Sequence, residues 1–238
     1  AALKESQSEN EILLLAPTGS GKTLAFLLPI LRRLETDRNE VQSLILAPTR
    51  ELALQIEKVF RQLKSGHKVL TCYGGHPFSR ERQSLKHPPA LLIATPGRLL
   101  DHLQRETFNT NNIRSLVIDE YDKCLELGFS KEMQRILYHL PHIKQTMLTS
   151  ATKISELPGY FRMKTPHEIN FLDQDLAPKL SYYFVEMPWQ EKLTKLDYLL
   201  RNFDQESTVV FCNFKKDIEE VSDFLFEAKL PHSVFYGD

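Results

Sequence analysis

The sequence is sparing with cysteine, glycine and tryptophan: three, nine and one among 238 residues. Cys72, Cys124 and Cys212 are odd in number, far apart and without Cys-x-x-Cys spacing. That excludes a disulfide framework and a thiolate zinc site, and it points to a reduced, cytoplasmic setting. Long apolar runs are missing, and no secretory leader opens the sequence, so no membrane partner is expected. Excess charge of one sign is missing too: 30 Lys plus Arg meet 31 Asp plus Glu, for a formal net charge of −1. Whole-chain basicity therefore gives no hint of nucleic acid, although a neutral chain has room for a local basic groove. His139 and His142 flank Pro141, which spoils a helical metal-ligand face.

What is present is an alternation. Short apolar runs occur at 11–16 (EILLLA), 43–47 (SLILA), 68–73 (KVLTCY), 90–94 (ALLIA), 115–119 (SLVID), 145–150 (QTMLTS) and 168–171 (EINF). Helix-period segments such as TLAFLLPILRRLE and RELALQIEKVFRQLK separate them. Runs apolar on both faces, joined by helices, predict an α/β fold with a mostly parallel sheet covered on both sides. Residues 172–179 (LDQDLAPK) are polar and aperiodic and predict a linker. The alternation then restarts over 180–238, with strands expected in LSYYFVEM, STVVFCN and HSVFYGD and helices near 190–202 and 214–229. This second unit has roughly sixty residues, near the lower limit for an α/β domain. Gly19, Gly21, Gly74, Gly75 and Gly97 all follow strand candidates, which predicts a functional rim at the carboxyl ends of the strands.

The stretch EILLLAPTGSGKTLAF runs strand, turn, helix. Ala16 stands where the full phosphate-loop pattern has its first glycine; Thr18, Gly19, Ser20, Gly21, Lys22 and Thr23 fit the rest. Glycines there let successive backbone N–H groups face an anion at a helix amino end. Lys22 would then reach the β and γ phosphates of a nucleotide, and Thr23 would place its hydroxyl on Mg²⁺. A bare glycine turn before an amphipathic helix is the plainer alternative, which the strand before and the helix after disfavour.

About a hundred residues on, VIDEYDK carries three acids in four positions. Alone it would be a solvated acidic turn. Phosphate-loop enzymes need a carboxylate at a nearby strand end to hold Mg²⁺. Asp119 ends the run Leu116–Ile118, and Glu120 beside it is placed to polarise a water.

APTGSGKT, APTREL, GG, TPGR, DEYD and SAT occur in this order, each near the end of an apolar run. Together they resemble the first RecA-like domain of a DEAD-box RNA helicase of superfamily 2. LELGF, VVFCN and the terminal YGD resemble further segments, so nearly the whole chain is covered. The resemblance implies that Lys22 and Thr23 bind triphosphate and magnesium, that Asp119 holds the metal through water, and that Glu120 orients the attacking water. Asp122 would hydrogen-bond toward Ser150 or Thr152, linking the ATP state to the RNA state. Pro48, Thr49, Arg50, Gly75, Thr95, Gly97 and Arg98 would line an RNA track. Short polar side chains, glycine backbones and single arginines suit phosphate and sugar contacts, which position without reading sequence. The resemblance assigns 1–171 to the ATP-binding domain and 180–238 to the start of a second, incomplete RecA-like domain, in a protein expected to be a monomer.

Tyr121 departs from the family, which has alanine there. The family's adenine motif is expected upstream of Ala1 and its arginine fingers beyond Asp238. A finger is worth roughly 10³–10⁵ in rate, so residues 1–238 alone are expected to bind nucleotide weakly and hydrolyse it poorly. Two alternatives stay open: a DNA-directed helicase of the same superfamily, and an ATP-dependent RNA clamp that holds RNA without unwinding it. A simple phosphate-loop kinase or GTPase leaves PTREL, TPGR and SAT unexplained.

Overall fold

The computed structural model describes residues 11–154, 156–161, 163, 166–172, 181–202 and 207–236. All seven apolar runs of the first part form strands: β1 Glu11–Leu15, β2 Ser43–Leu46, β3 Val69–Cys72, β4 Leu91–Ala94, β5 Ser115–Ile118, β6 Gln145–Ser150 and β7 His167–Asn170. They form one parallel sheet in the order β3-β4-β2-β5-β6-β1-β7. Among the described residues six helices connect or flank them: α1 Lys22–Arg33, α2 Arg50–Gln62, α3 Phe78–Leu85, α4 Pro96–Gln104, α5 Tyr121–Glu126 and α6 Ser130–Tyr138.

The strands read as continuous apolar runs because both faces are covered. Alternate residues feed separate cores. Ile12, Leu14, Ile45, Ile93 and Val117 pack on one face with Phe26 and Ile30 of α1 and Ile56 and Phe60 of α2. Leu13, Leu15, Leu46, Leu92 and Ile118 pack on the other with Leu99 and Leu103 of α4, Cys124 of α5 and Met133 and Ile136 of α6. Each such side chain contributes about 1.5–3 kcal/mol by burial. Local signals set the helix starts. Thr49 caps α2, its Oγ1 accepting from the Leu52 N–H at 3.2 Å. Pro96 occupies the first turn of α4, where its missing N–H costs nothing.

The chain divides into compact units at 1–178 and 179–238. In the second, helices α7 Lys192–Asn202 and α8 Lys215–Glu227 form where the periodicity placed them. The three strands expected there do not: among the described residues, 181–188, 207–213 and 231–236 carry no strand. Phe184, Phe211 and Phe235 in these stretches are 94%, 92% and 86% exposed. An apolar run becomes a strand only when a neighbour pairs its backbone and covers its side chains. Within this unit nothing described does so. The linker expected at 172–179 lies, apart from Leu172, outside the described residues, as do the last two residues of YGD.

Candidate functional site

Because every strand runs the same way, all seven carboxyl ends lie along one rim of the sheet. Strand order sorts the motifs along it. The phosphate loop, the acids and SAT follow β1, β5 and β6, which are neighbours; PTREL, GG and TPGR follow β2, β3 and β4, also neighbours. Backbone hydrogen bonds lock these ends together: Ala16 N–H to Ser150 O at 3.0 Å, Asp119 N–H to Leu46 O at 2.9 Å, and Thr95 N–H to Cys72 O at 3.1 Å.

In the phosphate loop, Thr18, Gly19, Ser20 and Gly21 are exposed. Gly19 and Gly21 have φ of +80° and +89°, and open space lies where a Cβ would stand. Side chains at these two positions would be strained and would crowd an approaching anion. Lys22 is buried, and its Nζ donates to the Ala16 carbonyl at 2.7 Å, so the ammonium curls back over the loop. Thr23, on the first turn of α1, is half-buried.

Asp119 is 3% exposed. The Thr149 hydroxyl donates to its Oδ1, and the Glu120 N–H reaches both Asp119 Oδ1 at 3.2 Å and Thr149 Oγ1 at 3.1 Å. These bonds hold Glu120 in a left-handed conformation, φ +48°, immediately before α5. For a non-glycine residue that conformation costs roughly 1–3 kcal/mol. Burial pushes the Asp119 carboxyl above its ordinary range, and the neighbouring Glu120 adds to this; the Thr149 hydroxyl and the Lys22 charge pull it down. The Asp119 carboxylate and the Thr23 hydroxyl are hard oxygen donors, and a divalent cation would oppose the effect of burial on Asp119. The residues present fit Mg²⁺.

Thr149 was not anticipated from the sequence. No signal in the sequence singles it out, because its strand QTMLTS is buried along its whole length and also carries Thr146 and Ser150. Thr149→Val keeps the shape and removes the hydroxyl, leaving Asp119 and the Glu120 N–H each short of a partner. A loss of about 1–3 kcal/mol in urea unfolding is expected; an unchanged midpoint would contradict this geometry.

Asp122 accepts from the Thr152 hydroxyl at 2.9 Å. Of the two partners expected, only Thr152 meets it. The Ser150 hydroxyl donates to the Thr152 carbonyl at 2.6 Å and accepts from the Thr152 N–H at 3.1 Å, a local turn that holds Thr152 in place.

At the other half of the rim, Thr49, Arg50, Gly75 and Gly97 are exposed and Thr95 and Arg98 half-buried. Pro48 is buried, so its side chain shapes the turn and offers no face to a ligand. Gly75 has φ +94°. Arg50 stacks over the Tyr73 ring, 5.2 Å from its centroid. Glu81, on α3, was also not anticipated; it lies 2.7 Å from Arg98 Nε.

The protein family described as DEAD/DEAH box helicase matches residues 1–158, and the chain belongs to that family. It is 38% identical to the ATP-dependent RNA helicase DbpA of Escherichia coli over 244 aligned residues, covering 100% of this chain and 53% of DbpA. It is also 38% identical to the ATP-dependent RNA helicase CshA of Listeria monocytogenes, covering 87% of this chain and 41% of CshA. A solved DEAD box protein from the hyperthermophile Methanococcus jannaschii superimposes with a TM-score of 0.63 at 30% identity, covering 94% of this chain and 61% of that one. The α/β fold with its parallel sheet is RecA-like. The chain spans about half the length of the curated relatives it matches. Among the described residues no helix is long and apolar enough to cross a membrane.

Proposed function

We propose that the full-length protein is an ATP-dependent RNA helicase that couples RNA-stimulated ATP hydrolysis to local strand separation. One observation carries this reading: a phosphate loop with a paired carboxylate, and a track of exposed arginine, threonine and glycine, share one rim, joined where β2 and β5 pair and Asp119 N–H meets Leu46 O.

In this reading Lys22 leaves the Ala16 carbonyl and pairs with the β and γ phosphates, while the loop N–H groups of 18–23 hold the phosphate chain. Thr23 and Asp119 would hold Mg²⁺, whose charge would offset that of the phosphates. Glu120 orients and polarises the attacking water. Asp122 and Thr152 connect that acid cluster to the end of β6. Thr49, Arg50, Gly75, Thr95, Gly97 and Arg98 grip backbone phosphates and sugars, and contact with 2′-hydroxyls selects RNA over DNA. ATP binding closes this domain against a second one, bending one bound strand, and hydrolysis with phosphate release reopens them. The division at 1–171, 172–179 and 180–238, a monomeric state and a cytoplasmic location belong to the same proposal.

The test is made on full-length protein. ATP hydrolysis stimulated by single-stranded RNA more than by DNA, together with displacement of a short duplex, is expected. ATP-stabilised RNA binding without displacement would replace the helicase by a clamp. Stimulation by DNA alone would move it to a DNA-directed enzyme.

A further inference from the structure

The face of α3 that meets the sheet carries an acid. Glu81 is 3% exposed and shares that face with Leu85. A buried carboxylate is costly unless paired and hydrogen-bonded, and Glu81 is surrounded. Its Oε2 lies 2.7 Å from Arg98 Nε and 2.7 Å from His102 Nε2; its Oε1 lies 3.3 Å from His76 Nε2 and accepts from the Tyr73 N–H at 3.0 Å. The outer members are fixed in turn. Thr107 Oγ1 lies 2.9 Å from His102 Nδ1, the Phe78 ring stacks on His102 at 4.3 Å between centroids, and Arg98 lies over Phe78 at 5.3 Å. The Arg98 Nη2 also donates to the His76 carbonyl.

Two connections leave this cluster for the rim. One is Arg98 itself. The other runs through Tyr73, whose backbone N–H Glu81 holds, whose ring lies 4.4 Å from His76, and over whose face Arg50 stands. Tyr73 also immediately precedes the Gly74–Gly75 turn. Cys72, Glu81 and His102 bring three metal-ligand types within 4.8 Å of one another. The Arg98 guanidinium already supplies the positive charge beside that carboxylate, and burial pushes the Cys72 thiol up, away from the thiolate a metal needs.

We propose that Glu81 is a positioning residue for RNA binding: one buried carboxylate sets the geometry of both track arginines, Arg98 directly and Arg50 through Tyr73. The proposal rests on the reading of that track as an RNA site. Neither arginine is rigid alone. A guanidinium carries about 2 kcal/mol of rotamer entropy, and the Glu81 cluster removes part of it before RNA arrives. Pre-ordering of this kind lowers the cost of binding without adding a contact.

The experiment is a double-mutant cycle in full-length protein, with Glu81→Gln, Arg98→Met and both together. Binding of a labelled single-stranded oligouridine RNA and RNA-stimulated ATP hydrolysis are measured. Glu81→Gln is expected to raise the half-saturating RNA concentration roughly tenfold, about 1.4 kcal/mol, while kcat at saturating RNA and KM for ATP stay within twofold. Arg98→Met is expected to weaken RNA binding as much or more, and the double variant to lose less than the sum of the two, its small excess over Arg98→Met alone being the part Glu81 exerts through Tyr73 and Arg50. Losses that simply add would show that Glu81 does not act through Arg98 and would overturn the proposal. So would a parallel loss of ATP affinity and thermal midpoint in Glu81→Gln, the mark of a residue that only supports the fold. RNA binding unchanged in Arg98→Met would overturn the track reading itself, a failure distinct from the other two.

Discussion

Glu120→Gln in the full-length protein is expected to bind ATP with near-normal affinity and to hydrolyse it roughly 10²–10⁴-fold more slowly. The substitution keeps the volume and removes the charge that, in the proposed mechanism, would polarise the attacking water. The backbone at this position is held independently of the side chain: its N–H is gripped by Asp119 Oδ1 and Thr149 Oγ1, and its carbonyl accepts from Cys124 N–H at 3.0 Å. A glutamine therefore inherits the same left-handed backbone. The phosphate loop and Lys22 sit on different elements from Glu120, after β1 and at the start of α1. Binding and chemistry should separate for that reason. Asp119→Asn is the contrasting variant. In the proposed site its carboxylate would hold Mg²⁺, so nucleotide affinity measured with Mg²⁺ should fall along with turnover. Single-turnover hydrolysis and equilibrium nucleotide titration distinguish the two. Normal turnover in Glu120→Gln would remove Glu120 from the chemistry.

The strands of the first unit were legible because a parallel sheet buried on both faces writes itself as uninterrupted apolar runs, and each run in EILLLA through EINF is short and bounded by turn residues. The motifs after β1 and β5 that place the chain in its family were legible because they are fixed residue types at fixed local spacing. What was not legible depends on contacts between distant segments. Thr149 meets Asp119 across thirty positions of sequence, and periodicity reports only that its strand is buried. The choice of Thr152 over Ser150 as partner of Asp122 turns on which hydroxyl the local turn consumes, a matter of one bond rotation. Glu81 shows itself only as an acid on a face where Leu85 predicts apolar company; its partners lie on the β3–α3 turn and on α4. The runs of the second unit are also apolar, though richer in aromatics than β1–β7, yet stay exposed, because composition permits a strand and pairing makes one.

Tyr121→Ala, which installs the residue the family carries at this position, is expected to cost about 3–5 kcal/mol of stability, in the range of large aromatic deletions from a core. Tyr121 is fully buried and lies in the core beside Cys124 and Met133. Its ring meets Phe161 edge-on, centroids 5.3 Å apart at 83°, which ties α5 to the 3₁₀ turn Gly159–Phe161. Aromatic pairs in this geometry add about 0.5–1.5 kcal/mol beyond their area. The hydroxyl contributes nothing comparable. Its polar neighbour among the described residues is the Tyr160 side chain, which does not meet it in good hydrogen-bond geometry, and burial, followed by Tyr160, pushes it well above the usual phenol range. A buried oxygen without a partner costs about 1–3 kcal/mol, so Tyr121→Phe should be neutral or stabilising while Tyr121→Ala is not. Urea midpoints at constant slope measure both. Stability lost equally in Tyr121→Phe and Tyr121→Ala would assign the effect to the hydroxyl. Wild-type stability in Tyr121→Ala would mean that α5 can close over the space, and that the tyrosine is tolerated between Glu120 and Asp122 without being needed there.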